Sequence, residues 1–238
     1  MKNVLITGGS RGIGRACVEK FAREGYAVSF IYNNSDSAAA ELSALTGAHA
    51  IKADVSNPNE VKSAVADALT VMGSIDILVN NAGISLIKLF TDTTDEDYYN
   101  IMNVNCGGTF FVTREVSRNM ILNHFGRIVN IGSMWGKVGA SCEVAYSASK
   151  SAVEGFTKAL AKELGPSGIT VNCIEPGVIN TEMNAELDEA TLLELCNETP
   201  VGKIGDANEL AEFIYLIATE KSGFLTGQII NFDGGFAI

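Results

Sequence analysis

The chain has 238 residues and a formal net charge of −11, and 47% of its residues are hydrophobic. This length is sufficient for one large domain with a buried core, so we expect residues 1–238 to form a single domain. The negative charge argues against nucleic acids and anionic membranes as partners, because both attract basic patches.

No run of about 18 apolar residues is present that would span a bilayer. No signal-peptide pattern is visible in the first residues. The five cysteines are scattered and form no CxxC pair, which is typical of reduced thiols in a cytosol. With two histidines and no HExxH motif, we expect a cytoplasmic protein without a metal site.

The first predicted element is a short apolar strand at residues 4–6, which runs into a glycine-rich turn at residues 7–14. Apolar residues at helical spacing follow up to Arg23. Gly8, Gly12 and Gly14 carry no Cβ, so the backbone can approach a pyrophosphate at the helix N-terminus, where N–H groups point outward. Strand, turn and helix in this order predict a dinucleotide site.

Strands alternate with helices along the rest of the chain, without a linker or repeat. Further strands are predicted at residues 27–32, 49–53, 75–80, 127–131, 170–174 and 228–231. Helices are predicted at residues 57–72, 105–124, 146–165 and from 206 onward. The alternation predicts an α/β fold, a doubly wound (Rossmann) parallel sheet of about seven strands with helices on both faces. The ligand cleft then lies at the carboxyl ends of the strands.

Tyr146 and Lys150 lie one helical turn apart, and Ser133 closes the fifth predicted strand. Side chains at i and i+4 share one face of a helix. An ammonium beside a phenol favours the phenolate, so we expect Lys150 to lower the pKa of Tyr146 from its reference of about 10. Tyr146 can then give a proton to a developing alkoxide while Ser133 hydrogen-bonds the same oxygen. These residues predict the reduction of a ketone.

Together these motifs resemble the short-chain dehydrogenase/reductase family, and within it most closely the 3-oxoacyl-acyl-carrier-protein reductases. The resemblance covers essentially the whole chain. The matching pieces are the glycine turn, Ala53-Asp54-Val55, Asn80-Asn81-Ala82-Gly83, Asn105, Ser133, Tyr146, Lys150 and Pro176-Gly177.

The resemblance implies a role for each matching residue. Asp54 and Val55 would contact the adenine, and Asn81 would support the cofactor cleft. Asn105 would anchor a water linked to Lys150, which would also hold the nicotinamide ribose. The expected catalytic residues are Asn105, Ser133, Tyr146 and Lys150. The expected cofactor-binding residues are Gly8, Ser10, Arg11, Gly12, Ile13, Gly14, Asn33, Asp54, Val55, Asn81, Ala82, Gly83, Tyr146, Lys150, Pro176, Gly177 and Thr181.

The choice of cofactor depends on the tip of the second strand, where a carboxylate selects NAD and a nearby arginine accommodates the 2′-phosphate of NADP. That strand runs into Asn33-Asn34-Ser35, without a carboxylate, and Arg11 lies inside the glycine turn. We therefore expect NADP(H). The alternative is that Asp36 reaches the ribose and Arg11 is a solvated loop charge.

The expected substrate is a ketone, as a small molecule or a thioester. Acyl-carrier-protein reductases present basic residues to their acidic carrier, but the corresponding segments here are Asn123-His124-Phe125 and Gly165-Pro166-Ser167. Without basic partners the steering of an acidic carrier is weak. Acyl-CoA and free ketones remain open, as do sugar, polyol and steroid alcohols. A catalytically silent NADP-binding protein on the same fold is a further alternative.

The expected substrate-contacting residues are Ser133, Trp135, Glu143, Tyr146 and Met183. Residues 133–136 and 139–146 also resemble a Firmicute branch that reduces a 5-aminopentanone group on elongation factor P. A carboxylate at Glu143 could pair with the terminal ammonium of that group.

Residues 178–199, which include a short acidic helix, are expected to form a lid that excludes water from the cleft. Following the resemblance, the helices at residues 105–124 and 146–165 are expected to pack against a second subunit. Residues 232–238 would form another contact, giving a homotetramer or homodimer.

Overall fold

All five residues of strand β1, Asn3–Thr7, are buried in the middle of a parallel sheet. The structure is a computed structural model that describes residues 2–182 and 188–238, and within these ranges seven strands form the sheet. The other six are β2 Ala27–Tyr32, β3 His49–Lys52, β4 Ile77–Asn80, β5 Gly126–Ile131, β6 Ile169–Pro176 and β9 Ile229–Phe232. Their order is β3-β2-β1-β4-β5-β6-β9, and all neighbours are parallel. Strands β7 Ile179–Asn180 and β8 Gly205–Asp206 form a separate parallel pair.

Helices cover both faces of the sheet. They are α1 Gly12–Arg23, α2 Asp36–Thr46, α3 Pro58–Met72, α4 Asp95–Met102, α5 Gly108–Asn123, α6 Met134–Val138, α7 Val144–Leu164, α8 Glu189–Glu198 and α9 Ala207–Ala218. One apolar core lies between the sheet and α1, α2 and α9. The other lies between the sheet and α3, α5 and α7. The predicted doubly wound fold is confirmed, because buried strands must be covered on both faces.

Local signals explain several boundaries. The side chain of Asn57 accepts a hydrogen bond from the N–H of Asn59, and Pro58 occupies the first helical position of α3. Gly73 ends that helix with φ of +79°. Strand β2 has the bounds predicted from its apolar run.

The predicted start of the helix over residues 105–124 is wrong. The chain forms α4, then a π-helical turn at Asn103–Gly107, and α5 begins only at Gly108. The turn is stabilised by the Asn105 side chain, which donates a 2.9 Å hydrogen bond to the carbonyl of Ile84. A contact between residues so far apart in sequence leaves no periodic signal. Helix α4, by contrast, has a local sequence signal at its start, a capping box between Thr94 and Asp97.

A buried polar network ties the sheet to the helices beside the cleft. The Asn80 amide donates to Thr113 at 2.8 Å and to Asn130 at 2.9 Å. The Asn130 amide in turn donates to Thr157 on α7 at 2.9 Å. These contacts set how α5 and α7 lie against β4 and β5.

No helix in the described part of the chain is both long and apolar enough to cross a membrane. Among residues 2–182 and 188–238, no group of three or more His, Cys, Asp or Glu side chains is placed to hold a metal ion.

Candidate active site

The glycine turn brings the β1 carboxyl end very close to the start of α1. A Cβ on Gly14 would collide with the carbonyl oxygen of Gly8, and Gly8 itself has φ of +65°. Arg11 precedes the helix without a side-chain cap, and the first turn of α1 contains no acidic residue. The N–H groups at this helix end are therefore available to an anion.

Asn81, at the end of β4, holds the turn in place. Its side-chain amide donates to the carbonyl oxygens of Thr7 at 3.0 Å and Gly8 at 3.1 Å. The backbone N–H groups of Asn81 and Ala82 both donate to the Thr7 hydroxyl at 3.0 Å. Asn81 therefore orients the turn, and its role in supporting a cofactor stays a prediction.

Asn105 is buried in the π-helical turn and connects three elements. Its Oδ1 accepts from the N–H of Ile84 at 2.8 Å, and its Nδ2 also donates to Ser149 on α7 at 3.0 Å. A Cβ on Gly83 would lie 3.2 Å from Asn105 Oδ1 and 3.5 Å from Lys150 Nζ. Asn105 and Lys150 thus flank Gly83, and a water between Asn105 and Lys150 stays a prediction.

The expected lowering of the Tyr146 pKa by Lys150 is wrong for this structure. Burial raises the pKa of Tyr146 to about 12, although a hydrogen bond with Ser133 acts in the opposite direction. The Lys150 ammonium lies 5.7 Å from the centre of the tyrosine ring and donates to the Ile131 carbonyl at 2.9 Å. Burial also lowers the pKa of Lys150 to about 8. Desolvation is the largest cause of both shifts, and neither group is a cause of the other's shift.

Ser133 begins the short helix α6, and its hydroxyl accepts from the N–H of Trp135 at 3.2 Å. Ser133, Tyr146 and Lys150 face one cavity of about 880 Å³ at the carboxyl ends of the strands. The predicted residues that line this cavity are Ile13, Asn81, Gly83, Ser133, Trp135, Glu143, Tyr146, Lys150, Pro176, Gly177 and Thr181.

Other predicted residues lie outside the lining of this cavity. They are Gly8, Ser10, Arg11, Gly12, Gly14, Asn33, Asp54, Val55, Ala82 and Asn105. Arg11 and Asn33 are exposed. The Asp54 carboxylate accepts from the N–H and hydroxyl of Ser56, at 2.8 and 2.7 Å. Their cofactor contacts stay predictions, and Met183 lies outside the described residues.

The residues present fit a nicotinamide dinucleotide. The glycine turn offers backbone N–H groups to a pyrophosphate, and the cavity continues from Ile13 past Asn81 to Tyr146 and Lys150. Lys150 would hold the nicotinamide ribose in this cavity. Thr181 packs against the glycine turn, because a Cβ on Gly12 would lie 3.3 Å from Thr181 Cγ2. The bound group would supply or accept a hydride beside Tyr146.

Fold and site together define an oxidoreductase that uses a nicotinamide dinucleotide on a Rossmann sheet. A family model described as enoyl-(acyl carrier protein) reductase matches residues 8–237. An acetoacetyl-CoA reductase of Shinella zoogloeoides is 41% identical over 232 residues, which cover 97% of this chain and 96% of that protein. The chain belongs to the short-chain dehydrogenase/reductase family.

Two further comparisons agree with this assignment. A 3-oxoacyl-[acyl-carrier-protein] reductase of Aquifex aeolicus is 37% identical over 97% of this chain and 95% of that protein. A solved short-chain dehydrogenase/reductase of Serratia marcescens has a TM-score of 0.92 at 35% identity, covering 100% of this chain and 98% of that chain. The expected family resemblance is therefore confirmed, and with it an oxidoreductase acting on ketones or alcohols.

Three residues near the site were missed by the sequence analysis. Ser149 lies inside the Tyr146–Lys150 motif and binds Asn105, so its spacing was a usable signal. Phe236, which lines the cavity, comes from the C-terminal segment and has no local signal. Glu175, the third, comes directly after the strand predicted at residues 170–174 and lies inside the observed β6, so no sequence signal indicated that it would be buried.

Glu175 lies beneath the site, directly before Pro176. It is fully buried, and neither of its carboxyl oxygens accepts a hydrogen bond from an N–H group of the described residues. A Cβ on Gly132 would lie 3.1 Å from Glu175 Cγ, so this side chain packs against the residue before Ser133. Burial, followed by the neighbouring Glu154 carboxylate, raises the pKa of Glu175 to about 8. Glu175 is thus neutral over much of the acidic range.

Replacing Tyr146 by Phe removes the proton donor and preserves the ring. We expect turnover to fall at least about 10²-fold, the usual contribution of general acid catalysis, while cofactor affinity stays unchanged. Single-turnover kinetics and cofactor titration measure the two quantities. Tyr99→Phe, on an exposed tyrosine of α4, is the matched control. Near-normal turnover of Tyr146→Phe would show that Tyr146 is not the acid.

The pH dependence of stability should report on Glu175. Because its pKa is raised above the ordinary 4.5, the neutral carboxyl stabilises the fold fully below that value, and the contribution is lost as pH rises through about 8. Glu175→Gln stays neutral throughout. Relative to this variant, the unmodified protein should lose up to about 4 kcal/mol of unfolding free energy between about pH 5 and about pH 8.

Urea unfolding at a series of pH values measures this difference. Lys137 and Lys158 favour the charged carboxylate of Glu175 and reduce the effect. Glu163→Gln, on an exposed glutamate of α7, should keep the pH profile of the unmodified protein. If Glu175→Gln also keeps that profile, Glu175 is not titrating in this range.

Proposed function

We propose that the protein is an NADPH-dependent carbonyl reductase that converts a ketone to a secondary alcohol, with 3-oxoacyl thioesters as the first substrate class. The observation that carries the proposal is the convergence of Ser133, Tyr146 and Lys150 on the cavity that continues to the glycine turn. The two relatives described above are named as reductases of acetoacetyl-CoA and of 3-oxoacyl-[acyl-carrier-protein].

In this proposal the bound NADPH supplies the hydride, and the protein handles the proton. Tyr146 gives its phenolic proton to the oxygen of the reacting carbonyl, and the Ser133 hydroxyl donates a hydrogen bond to the same oxygen. Although burial raises the pKa of Tyr146, the Lys150 ammonium, 5.7 Å from the ring centre, would offset part of the cost of forming the phenolate during the reaction. Asn105 keeps the π-helical turn against α7, so that Lys150 stays opposite Gly83.

The choice of NADPH is supported by the charges around the β2 tip. Asp36, the carboxylate that could bind an NAD ribose, is paired with Lys52 at 2.8 Å. Asn33 is exposed and uncharged, and Arg11 is exposed in the glycine turn. An arginine without a competing carboxylate is the pattern that accommodates a 2′-phosphate.

Changing Asn33 to Asp places a negative charge beside the proposed 2′-phosphate. The ratio of kcat/KM for NADPH to that for NADH should fall at least about tenfold, since like charges in proximity repel. Steady-state kinetics with both cofactors measure it, with Asn123→Asp, at the far end of α5, as the control. A higher kcat/KM with NADH in the unmodified protein would contradict the Arg11 argument.

A second candidate substrate is the 5-aminopentanone group on elongation factor P. Among the residues that the structure describes, three carboxylates line the cavity: Glu143, Glu194 and Glu198. Within the described residues, its lining contains one cation, the buried Lys150. This charge pattern attracts an ammonium and repels the phosphates of acyl-CoA. Burial raises the pKa of Glu143, so an ammonium bound beside it would be needed to favour its charged form.

Alcohol dehydrogenation of sugars, polyols or steroids would use the same residues. A silent NADP-binding protein has less support, because Asn105, Ser133, Tyr146 and Lys150 are all present.

We further propose that the chain acts in the cytoplasm as a homodimer or homotetramer. The expected lid over residues 178–199 stays a proposal: α8 borders the cavity through Thr191, Glu194, Leu195 and Glu198, and residues 183–187 lie outside the described residues.

The deciding experiment follows NADPH oxidation with acetoacetyl-CoA, a carrier-linked 3-ketoester and elongation factor P bearing the aminoketone, side by side. Tyr146→Phe is the blank for each. Oxidation of NADPH with none of a broad panel of ketones, despite stoichiometric NADPH binding, would favour the silent binding protein.

Glu143→Gln separates the two substrate classes. If the substrate is an aminoketone, kcat/KM for it should fall about 10- to 100-fold, because a charge-assisted hydrogen bond contributes about 1.5–3 kcal/mol. The value for acetoacetyl-CoA should stay level or rise. Glu163→Gln, away from the cavity, controls for the loss of one charge. An equal fall for both substrates would argue against ammonium recognition by Glu143.

A further inference from the structure

The C-terminal turn, residues 233–237, lies against three parts of the site. The N–H of Gly177, after the β6 end, donates to the carbonyl of Phe232 at 3.0 Å. A Cβ on Gly177 would lie 2.9 Å from the Asp233 Cα. The turn therefore begins in direct contact with a residue that lines the cavity.

The turn is held in one shape by a buried carboxylate. Asp233 accepts hydrogen bonds from the N–H groups of Gly235 at 3.0 Å and Ala237 at 2.9 Å, and from the Asn231 amide at 2.9 Å. From outside, the Lys137 ammonium on α6 donates to the Ala237 carbonyl at 2.6 Å. Residue 236 lies between these anchors, so both ends of the turn fix the direction of its side chain.

That side chain is Phe236, and it points to the cavity. Its ring meets the ring of Trp135 edge to face, with centroids 5.3 Å apart and an angle of 89° between the planes. Both rings line the cavity that contains Tyr146. Edge-to-face pairs are a favoured aromatic geometry, so each ring restrains the other.

The other side of the turn touches the segment that leaves α8. A Cβ on Gly234 would lie 2.6 Å from Thr199 Cγ2, and the N–H of Val201 donates to the Gly234 carbonyl at 3.3 Å. Helix α8 borders the same cavity through Leu195. One turn thereby sets the spacing between the aromatic pair, the β6 end and α8.

We propose that Phe236 is a specificity-determining residue, which with Trp135 forms an aromatic wall that limits the bulk of the group carried by the ketone. The inference rests on the proposed ketone reduction and adds the shape of the accepted substrate. A slim alkyl ketone fits beside this wall, and an aryl ketone requires the ring of Phe236 to be absent.

The first test uses ethyl acetoacetate and ethyl benzoylacetate, which place a methyl or a phenyl group on the reacting carbonyl. Phe236→Ala should shift the kcat/KM ratio at least about tenfold towards the phenyl ketone, with the KM for NADPH within about twofold. Phe236→Tyr keeps the ring and should keep the ratio. Phe224→Ala, on a ring that is 94% exposed, is the matched control. An unchanged ratio in Phe236→Ala overturns the proposal.

The second test needs no turnover. Trp135 is the single tryptophan of the chain, so its fluorescence reports on the wall directly. Acrylamide quenching should rise about twofold in Phe236→Ala and stay level in Phe224→Ala, because the edge contact shelters the indole. Equal quenching in Phe236→Ala and in the unmodified protein overturns the proposal that Phe236 and Trp135 form an aromatic wall. If no ketone is reduced, the proposed function fails, and quenching still decides whether Phe236 covers Trp135. Phe236→Leu, which keeps apolar volume, replaces Phe236→Ala if the latter does not fold.

Discussion

The structure of this site depends on burying the amino group of Lys150. The residue is 5% exposed, and its Nζ donates to the Ile131 carbonyl at the end of β5. Removing an ammonium from water carries a large free-energy cost, which appears here as a pKa lowered to about 8. An oriented carbonyl offsets part of that cost and fixes α7 against β5. Tyr146, one turn earlier on the same helix, is placed as a result.

The residues around Lys150 follow from the same requirement. Gly83 lies so close that a Cβ there would be 3.5 Å from Nζ. Asn105 bridges Ile84 and Ser149 from a point where the helix widens into a π-helical turn. Each contact joins the carboxyl end of a strand to a helix, which is where a doubly wound sheet places its ligand. The catalytic geometry is therefore a product of packing between elements.

In the proposed function, substrate selection depends on a different part of the molecule. The two relatives described above, at 41% and 37% identity, are named as reductases of acetoacetyl-CoA and of 3-oxoacyl-[acyl-carrier-protein], and the fold alone does not separate such substrates. The groups that the proposals assign to substrate selection are Glu143 directly before α7, the carboxylates of α8, and Phe236 from the C-terminal turn, and all of them line the cavity. They come from loops and peripheral elements, which can change without disturbing the buried core.

The sequence by itself determined the doubly wound fold, the glycine turn and the pairing of Tyr146 with Lys150, because each is a local pattern of apolar periodicity, backbone freedom or helical spacing. Only the tertiary structure decided that burial raises the pKa of Tyr146, that the helix through Asn105 contains a π-helical turn, and that Glu175 and Phe236 lie at the site. Those outcomes depend on desolvation and on contacts between residues far apart in the chain. The spacing of residues along the sequence encodes neither the desolvation nor these long-range contacts, because both arise only when the strands and helices have packed.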